Sequence, residues 1–233
     1  MEKSIRVAVS VLFAFLFGIS CNKTETKAVI CYPMMWTSGA IVTRTLTYNS
    51  NNKVILDTNG ECGGHNYYRY DESGNIISCL SGGTTSYTYD ANNNLIRQDD
   101  NGGYSIIYQY NSTGQLISST SKYQGNPWGI DKYYEYSNTT TKNSSKVTST
   151  GCCGKMDVHE YEYDNKPNPM KILFPSIHSD NNVIKDTYSI SAPPGFGPFI
   201  GVIIFICEYN GYGYPTSIVN GGNTKTTITY DCK

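Results

Sequence analysis

The chain has 233 residues and a formal net charge of −1, and no basic stripe occurs along it. That balance excludes the electrostatic footprint of a nucleic-acid binder. Tyrosine is the compositional outlier, at 21 residues beside 22 glycines, and much Asn, Ser and Thr with little Leu, Ala or Glu favours strands and tight turns over helices.

In chain order, Met1, Glu2, Lys3 and Arg6 precede an apolar run over 7–17, then the small residues Gly18 and Ser20, then Cys21. A charged start, a short apolar run and a small-residue site read as a cleaved signal peptide over 1–20. The run is too short to cross a hydrocarbon core of about 30 Å. Leu16-Phe17-Gly18-Ile19-Ser20-Cys21 resembles a bacterial lipobox, with Gly18 where leucine is common. The resemblance implies lipidation of Cys21, a polar tether over 21–30 and attachment to a membrane through the lipid. The expected location is the cell envelope, at the outer membrane of a Gram-negative bacterium.

Residues 31–233 then read as one β domain. Three phrases repeat at a period of about twenty: Tyr68-Arg69-Tyr70-Asp71 with Gly74 and Ile76, Tyr87-Thr88-Tyr89-Asp90 with Asn93 and Leu95, and Tyr108-Gln109-Tyr110-Asn111 with Gly114 and Leu116. Looser copies stand at Tyr48-Asn49, Tyr134-Glu135-Tyr136, Tyr161-Glu162-Tyr163-Asp164 and Tyr209-Asn210, and Tyr230-Asp231 ends the series on half a copy. Alternate side chains of a strand share a face, so both tyrosines of a phrase point one way. Asp or Asn then opens a turn by bonding the backbone two residues on, and Gly or Asn three residues later tolerates positive φ. Five turns obey this rule, opening at Asn49, Asp71, Asp90, Asn111 and Asn210.

These residues resemble the YD-repeat, or Rhs-like, family, and the repeat lipoproteins of Bacteroidetes. Long relatives wind such repeats into a shell around a C-terminal toxin. The few repeats here and the stop at Lys233 set the expectation of no such cargo, and of an antiparallel meander of about twelve to fourteen strands in an open twisted sheet or half-closed barrel. Ser137 replaces the Asp in one copy, and Pro167 and Pro169 displace the turn glycine in another. An irregular insertion is expected near 174–199, where prolines cluster, and 200–207 reads as a buried strand.

Beyond Cys21, the thiols are Cys31, Cys62, Cys79, Cys152, Cys153, Cys207 and Cys232. An oxidising compartment pairs some of them, and an odd count leaves one over. Cys152 and Cys153 sit in a tight glycine-flanked loop, where bonds to other strands are easier than one to each other. No metal site is expected: Cys62-Gly63-Gly64-His65 and Cys152-Cys153 with His159 match no zinc spacing, and Asp90 to Asn94 opens like a calcium loop that lacks its glycine and glutamate. His65, His159 and His178 read as surface or turn residues, and Asp99-Asp100 as a solvated turn; no catalytic residue and no cofactor is expected. Rings outside the repeat phrase, at Trp36, Tyr123, Trp128, Tyr212 and Tyr214, are the candidate ligand contacts, since an aromatic ring offers sugars an apolar face and a polar handle. The leading reading is a non-enzymatic, lipid-anchored envelope protein that binds a glycan or another protein. A hydrolase acting on polysaccharide and a purely structural spacer are the alternatives. Function is sought in the non-repeating segments 31–36, 124–130, 151–154 and 193–198.

Overall fold

The turns follow directly from the Asp and Asn side chains. Asp71 Oδ1 accepts the Asn75 backbone N–H at 2.8 Å, and Oδ2 accepts Asn75 Nδ2 at 3.2 Å. The Gly74 N–H donates to the Asp71 carbonyl at 3.1 Å, and Gly74 sits at φ 85°. This is a type I turn followed by a left-handed residue, one of the standard hairpin closures. Asn49, Asp90, Asn111 and Asn210 clasp the N–H four residues on in the same way, at 2.8 to 3.0 Å. The matching left-handed residues are Asn52, Asn93, Gly114 and Gly213. All five expected turns form.

Each hairpin is then fastened to the one before it. The second tyrosine of the phrase donates its hydroxyl to a backbone carbonyl near the start of an earlier strand: Tyr70 to Val54 at 2.7 Å, Tyr89 to Ile76 at 2.9 Å and Tyr110 to Leu95 at 2.9 Å. Tyr48 does so to Pro33, Tyr136 to Leu116, Tyr163 to Ser144 and Tyr230 to Pro215. A phenol is long enough to carry its apolar ring into the core and still satisfy a carbonyl there. The spacing of the repeat is therefore also the spacing of a hydrogen-bond ladder.

The structure is a computed structural model and describes residues 29–60, 62, 64–151, 155–172, 179–191, 197–221 and 224–233. Its strands are β1 Cys31–Ser38, β2 Ile41–Tyr48, β3 Val54–Asp57, β4 Asn66–Tyr70, β5 Ile76–Leu80, β6 Thr84–Tyr89, β7 Leu95–Asp100, β8 Tyr104–Tyr110 and β9 Leu116–Tyr123. There follow β10 Asn126–Glu135, β11 Lys146–Thr150, β12 Met156–Pro167, β13 Asn181–Ile190, β14 Phe199–Ile204, β15 Ile206–Tyr209, β16 Pro215–Val219 and β17 Lys225–Cys232. Successive strands pair antiparallel from β1 to β14 and from β15 to β17, and β17 pairs back onto β1. The sheet is an all-β meander closed into a barrel-like ring with one unsealed seam. At that seam the run 199–209 bends at Phe205: β14 pairs with β13, and β15 pairs with β16.

The core lies on the concave face. Trp36, Leu46, Val54, Tyr68, Ile76, Cys79, Tyr87, Leu95, Tyr108, Leu116 and Ile228 come from strands spread around the ring and meet in one buried cluster. Inside it Asp57 is fully buried and takes the Arg44 guanidinium on both oxygens, at 2.9 and 2.5 Å, while Arg44 lies 5.2 Å over the Trp36 ring. A buried carboxylate is tolerable only when paired in this way. The convex face carries exposed ion pairs, among them Lys146–Glu135, Lys185–Glu162 and Lys225–Glu208, where a lipid-facing barrel would need an apolar band. Two disulfides, Cys31–Cys232 and Cys62–Cys79, join strands β1 to β17 and the β3–β4 connection to β5. Cys207 is the free thiol among the described residues. Cys21, Cys152, Cys153 and the rest of residues 1–28 lie outside them.

Three expectations are corrected. The described residues form seventeen strands, more than the twelve to fourteen expected, and one of them, β13, lies inside the segment assigned to an irregular insertion. The insertion instead falls inside a YD turn. Asn182 donates its N–H and its Nδ2 to the two oxygens of Asp164, each at 3.0 Å, repeating the Asp71–Asn75 clasp at a separation of 18 instead of 4 residues. Among its described residues the intervening chain carries a 3₁₀ turn, Pro169–Ile172, with Pro169 fully buried and Met170 packed on the core. Finally, 200–207 is not a buried strand: Ile200, Val202, Ile204 and Ile206 are 47 to 66% exposed. Ile200, Val202 and Ile204 alternate outward on β14, whose second edge lacks a partner strand among the described residues, and Ile206 points outward on β15.

Candidate functional site

The YD turns all lie at one rim of the ring, so the connections 101–103 and 124–125 lie at the other. Two tight reversals build a site there. Gln124 and Gly125, at φ 48° and 81°, close a two-residue hairpin of the type that fits strand twist. Asp100 Oδ1 caps the neighbouring turn by accepting the N–H groups of Gly102 and Tyr104, at 2.9 and 2.8 Å. The Gln124 N–H in turn donates to the Gly103 carbonyl at 2.8 Å, so the two tips are locked together.

This scaffold presents three rings. Tyr104 and Tyr123 are cross-strand partners with ring centroids 5.5 Å apart. Trp128, on a bulge of β10, reaches back to both, at 6.4 Å from Tyr104 and 5.5 Å from Tyr123. Trp128 is 53% exposed and Tyr104 39%. Tyr104 stands four residues before the buried Tyr108, hence on the same concave side. The rings form a lip at the mouth of the barrel.

A second line of rings runs along the concave face of β12 to β14. His159 stacks on Tyr161 at 5.9 Å and 15°, and on Tyr188 at 5.9 Å and 26°. Tyr161 continues to Tyr163 at 6.2 Å, and Tyr188 to Phe199 at 5.9 Å. His159 Nδ1 lies 3.0 Å from both oxygens of Asp186.

The repeat phrases, the Asp and Asn clasps and the tyrosine ladder together describe the whole ring, and residues 89–123 match the RHS Repeat family model. Over that stretch its hairpins are repeats of the YD, Rhs-like kind. The YD-repeat chain is similar in structure to TcdB2-TccC3 without its hypervariable C-terminal region, at 14% identity and a TM-score of 0.36, over 82% of this chain and 12% of that one. It spans only that small part of the larger protein. It is also similar to a porin-like protein from Bacteroides uniformis, at 12% identity and a TM-score of 0.41, over 88% and 96% of the two chains. At TM-scores below one half neither likeness bears on function. Among curated proteins none matches the chain.

Of the five ring residues singled out in the sequence, the YD-repeat fold brings Tyr123 and Trp128 together. Trp36 and Tyr214 are corrected: both are buried, Trp36 beneath Arg44 and Tyr214 against Tyr230. Tyr212 is exposed at a turn tip. Tyr104 escaped notice although it too stands outside the Tyr-x-Tyr phrase, directly after Gly102-Gly103. His159 is corrected from a surface or turn residue to a strand residue on the concave face; its alternation with Tyr161 and Tyr163 is the signal that places it there. His65 is exposed, and His178 lies outside the described residues.

The acidic pair is separated by strand alternation: Asp99 takes the Arg97 guanidinium on both oxygens, at 2.6 Å each, while Asp100 caps its turn. Between the turns at Asp90 and Asn111 lies a polar depression of about 540 Å³, lined by Asn92, Asn94, Ser112, Thr113 and Lys142. No group of three His, Cys, Asp or Glu side chains that could hold a metal comes together among the described residues.

Proposed function

We propose that this YD-repeat protein is a non-enzymatic, lipid-anchored envelope protein that binds a glycan at its barrel mouth. The Tyr104–Tyr123–Trp128 lip carries the reading. Rings that are packed on each other yet half open to solvent, on turns held by backbone hydrogen bonds, are preorganised to stack against a sugar face. The lipobox-like Leu16 to Cys21 segment supports the anchor, and the family is compatible with an envelope or surface location.

Glycan-array binding of the full chain tests the site. Trp128→Ala is expected to weaken the strongest glycan by about tenfold or more, as for an aromatic anchor at the centre of a contact. Trp36 is buried and Trp128 exposed, so a glycan-dependent change in tryptophan fluorescence should vanish in the same variant. Undiminished glycan binding by Trp128→Ala would sink the reading. The anchor is tested separately by the intact mass of protein taken from membranes, which should fit an acylated chain that starts at Cys21.

A further inference from the structure

The ladder on the concave face is a site of its own, and its chemistry narrows what fits. A carboxylate only accepts hydrogen bonds, so the contact of His159 Nδ1 with both oxygens of Asp186 places the ring hydrogen on Nδ1. In the neutral ring Nε2 is then the acceptor. The Asp186 side chain is 13% exposed and the His159 side chain 31%.

On either side of it stand apolar ring faces, Tyr161 and Tyr163 in one direction, Tyr188 and Phe199 in the other. Phe199 is 62% exposed and gives the ladder an open end. The arrangement is built into the backbone. Tyr188 faces Gly201 across the β13–β14 pair, and a Cβ at Gly201 would run into the Tyr188 ring, 2.7 Å from Cε1. Only glycine lets that ring lie where it meets His159.

A fixed acceptor between flat apolar surfaces fits a molecule with C–H faces and a hydroxyl to donate. Asp157 shares the face with His159 and adds a second carboxylate to it, farther along the strand pair than Asp186, which disfavours anionic ligands. We propose that the ladder is a second saccharide site, taking a neutral hexose unit that lies along the Tyr161–His159–Tyr188 row and donates one hydroxyl to His159 Nε2. It rests on the mouth reading for its ligand class alone; its residues are separate.

The test uses the full chain with maltohexaose, cellohexaose and chitohexaose as probes, followed by calorimetry and saturation-transfer NMR. His159→Phe keeps the stacking and removes the acceptor, and is expected to weaken the bound hexasaccharide about tenfold. Gly201→Val displaces the Tyr188 ring and is expected to do the same; if it misfolds by circular dichroism, His159→Phe carries the test. Weakening by these variants with Trp128→Ala unaffected establishes the ladder and removes the mouth reading. Loss in Trp128→Ala with His159→Phe unchanged overturns the ladder and leaves the mouth. Failure of the wild-type chain to bind any of the three probes overturns the ladder as well.

Discussion

Single tyrosines decide much of this molecule's chemistry. Burial pushes Tyr70 and Tyr136 up to about 12, and it raises Tyr48, Tyr89, Tyr110 and Tyr230 as well. In the unfolded chain these groups ionise near pH 10. A folded pKa above the unfolded one means that the folded state holds its protons longer. The ladder's contribution is therefore intact below pH 10 and is lost as the pH climbs from about 10 to about 12. Alkaline titration should show tyrosinate absorbance and loss of strand signal in circular dichroism rising together; ionisation of these phenols near pH 10 with the fold intact would refute the ladder's role. At this scale the sequence was a fair guide to which rings build the core, because period-two alternation marks them. It was a poor guide to Trp36 and Tyr214. Their burial depends on Arg44 and Tyr230, which the neighbouring strands β2 and β17 bring against them.

The hairpin is the unit that the residues spell out most clearly. Asp or Asn at the start and Gly or Asn three places on were enough to locate five turns, since the physics is local to five residues. Gly114 shows how strict that is. At φ 76°, with only the Asn94 side chain 3.8 Å from an added Cβ, Gly114→Ala meets no steric obstacle and pays a purely conformational cost. Thermal or urea unfolding should find it about 1–2 kcal/mol less stable, and no change would show that the residue can leave the left-handed region freely. The Asp164–Asn182 clasp was not legible for the opposite reason. Its two ends lie 18 residues apart, and the prolines between them read as a break in the pattern. The phrase Asn182-Val183-Ile184, like Asn75-Ile76-Ile77, was the trace of the resumed hairpin. Strand β14 misled by composition: an unbroken apolar run says that a segment can be buried, and its position beside the seam leaves it exposed.

For the molecule as a whole, closure is the decisive event. Nothing in the sequence of β1 or β17 announces that they pair, yet Cys31 and Cys232 are register partners and are bonded across a separation of 201 residues. Neither could the concave ladder be read, because His159, Asp186 and Tyr188 come from two strands whose pairing depends on the inserted loop. Cross-linking so long a loop restricts the unfolded chain and is worth roughly 2–5 kcal/mol. Cys31→Ser with Cys232→Ser should lower the urea midpoint accordingly, and an unchanged midpoint would show that the strand pairing alone seals the ring. The main-chain ends go further than the disulfide. Ile30 and Lys233 exchange both N–H to C=O hydrogen bonds, each 3.0 Å long, so the two ends of the described chain are already neighbours. Such a ring has no privileged starting point. A circular permutant that links residue 233 to residue 29 and opens between Ser112 and Thr113, at an exposed turn tip, keeps every strand pair of the original. It should return the same circular dichroism spectrum from a chain that begins in the middle.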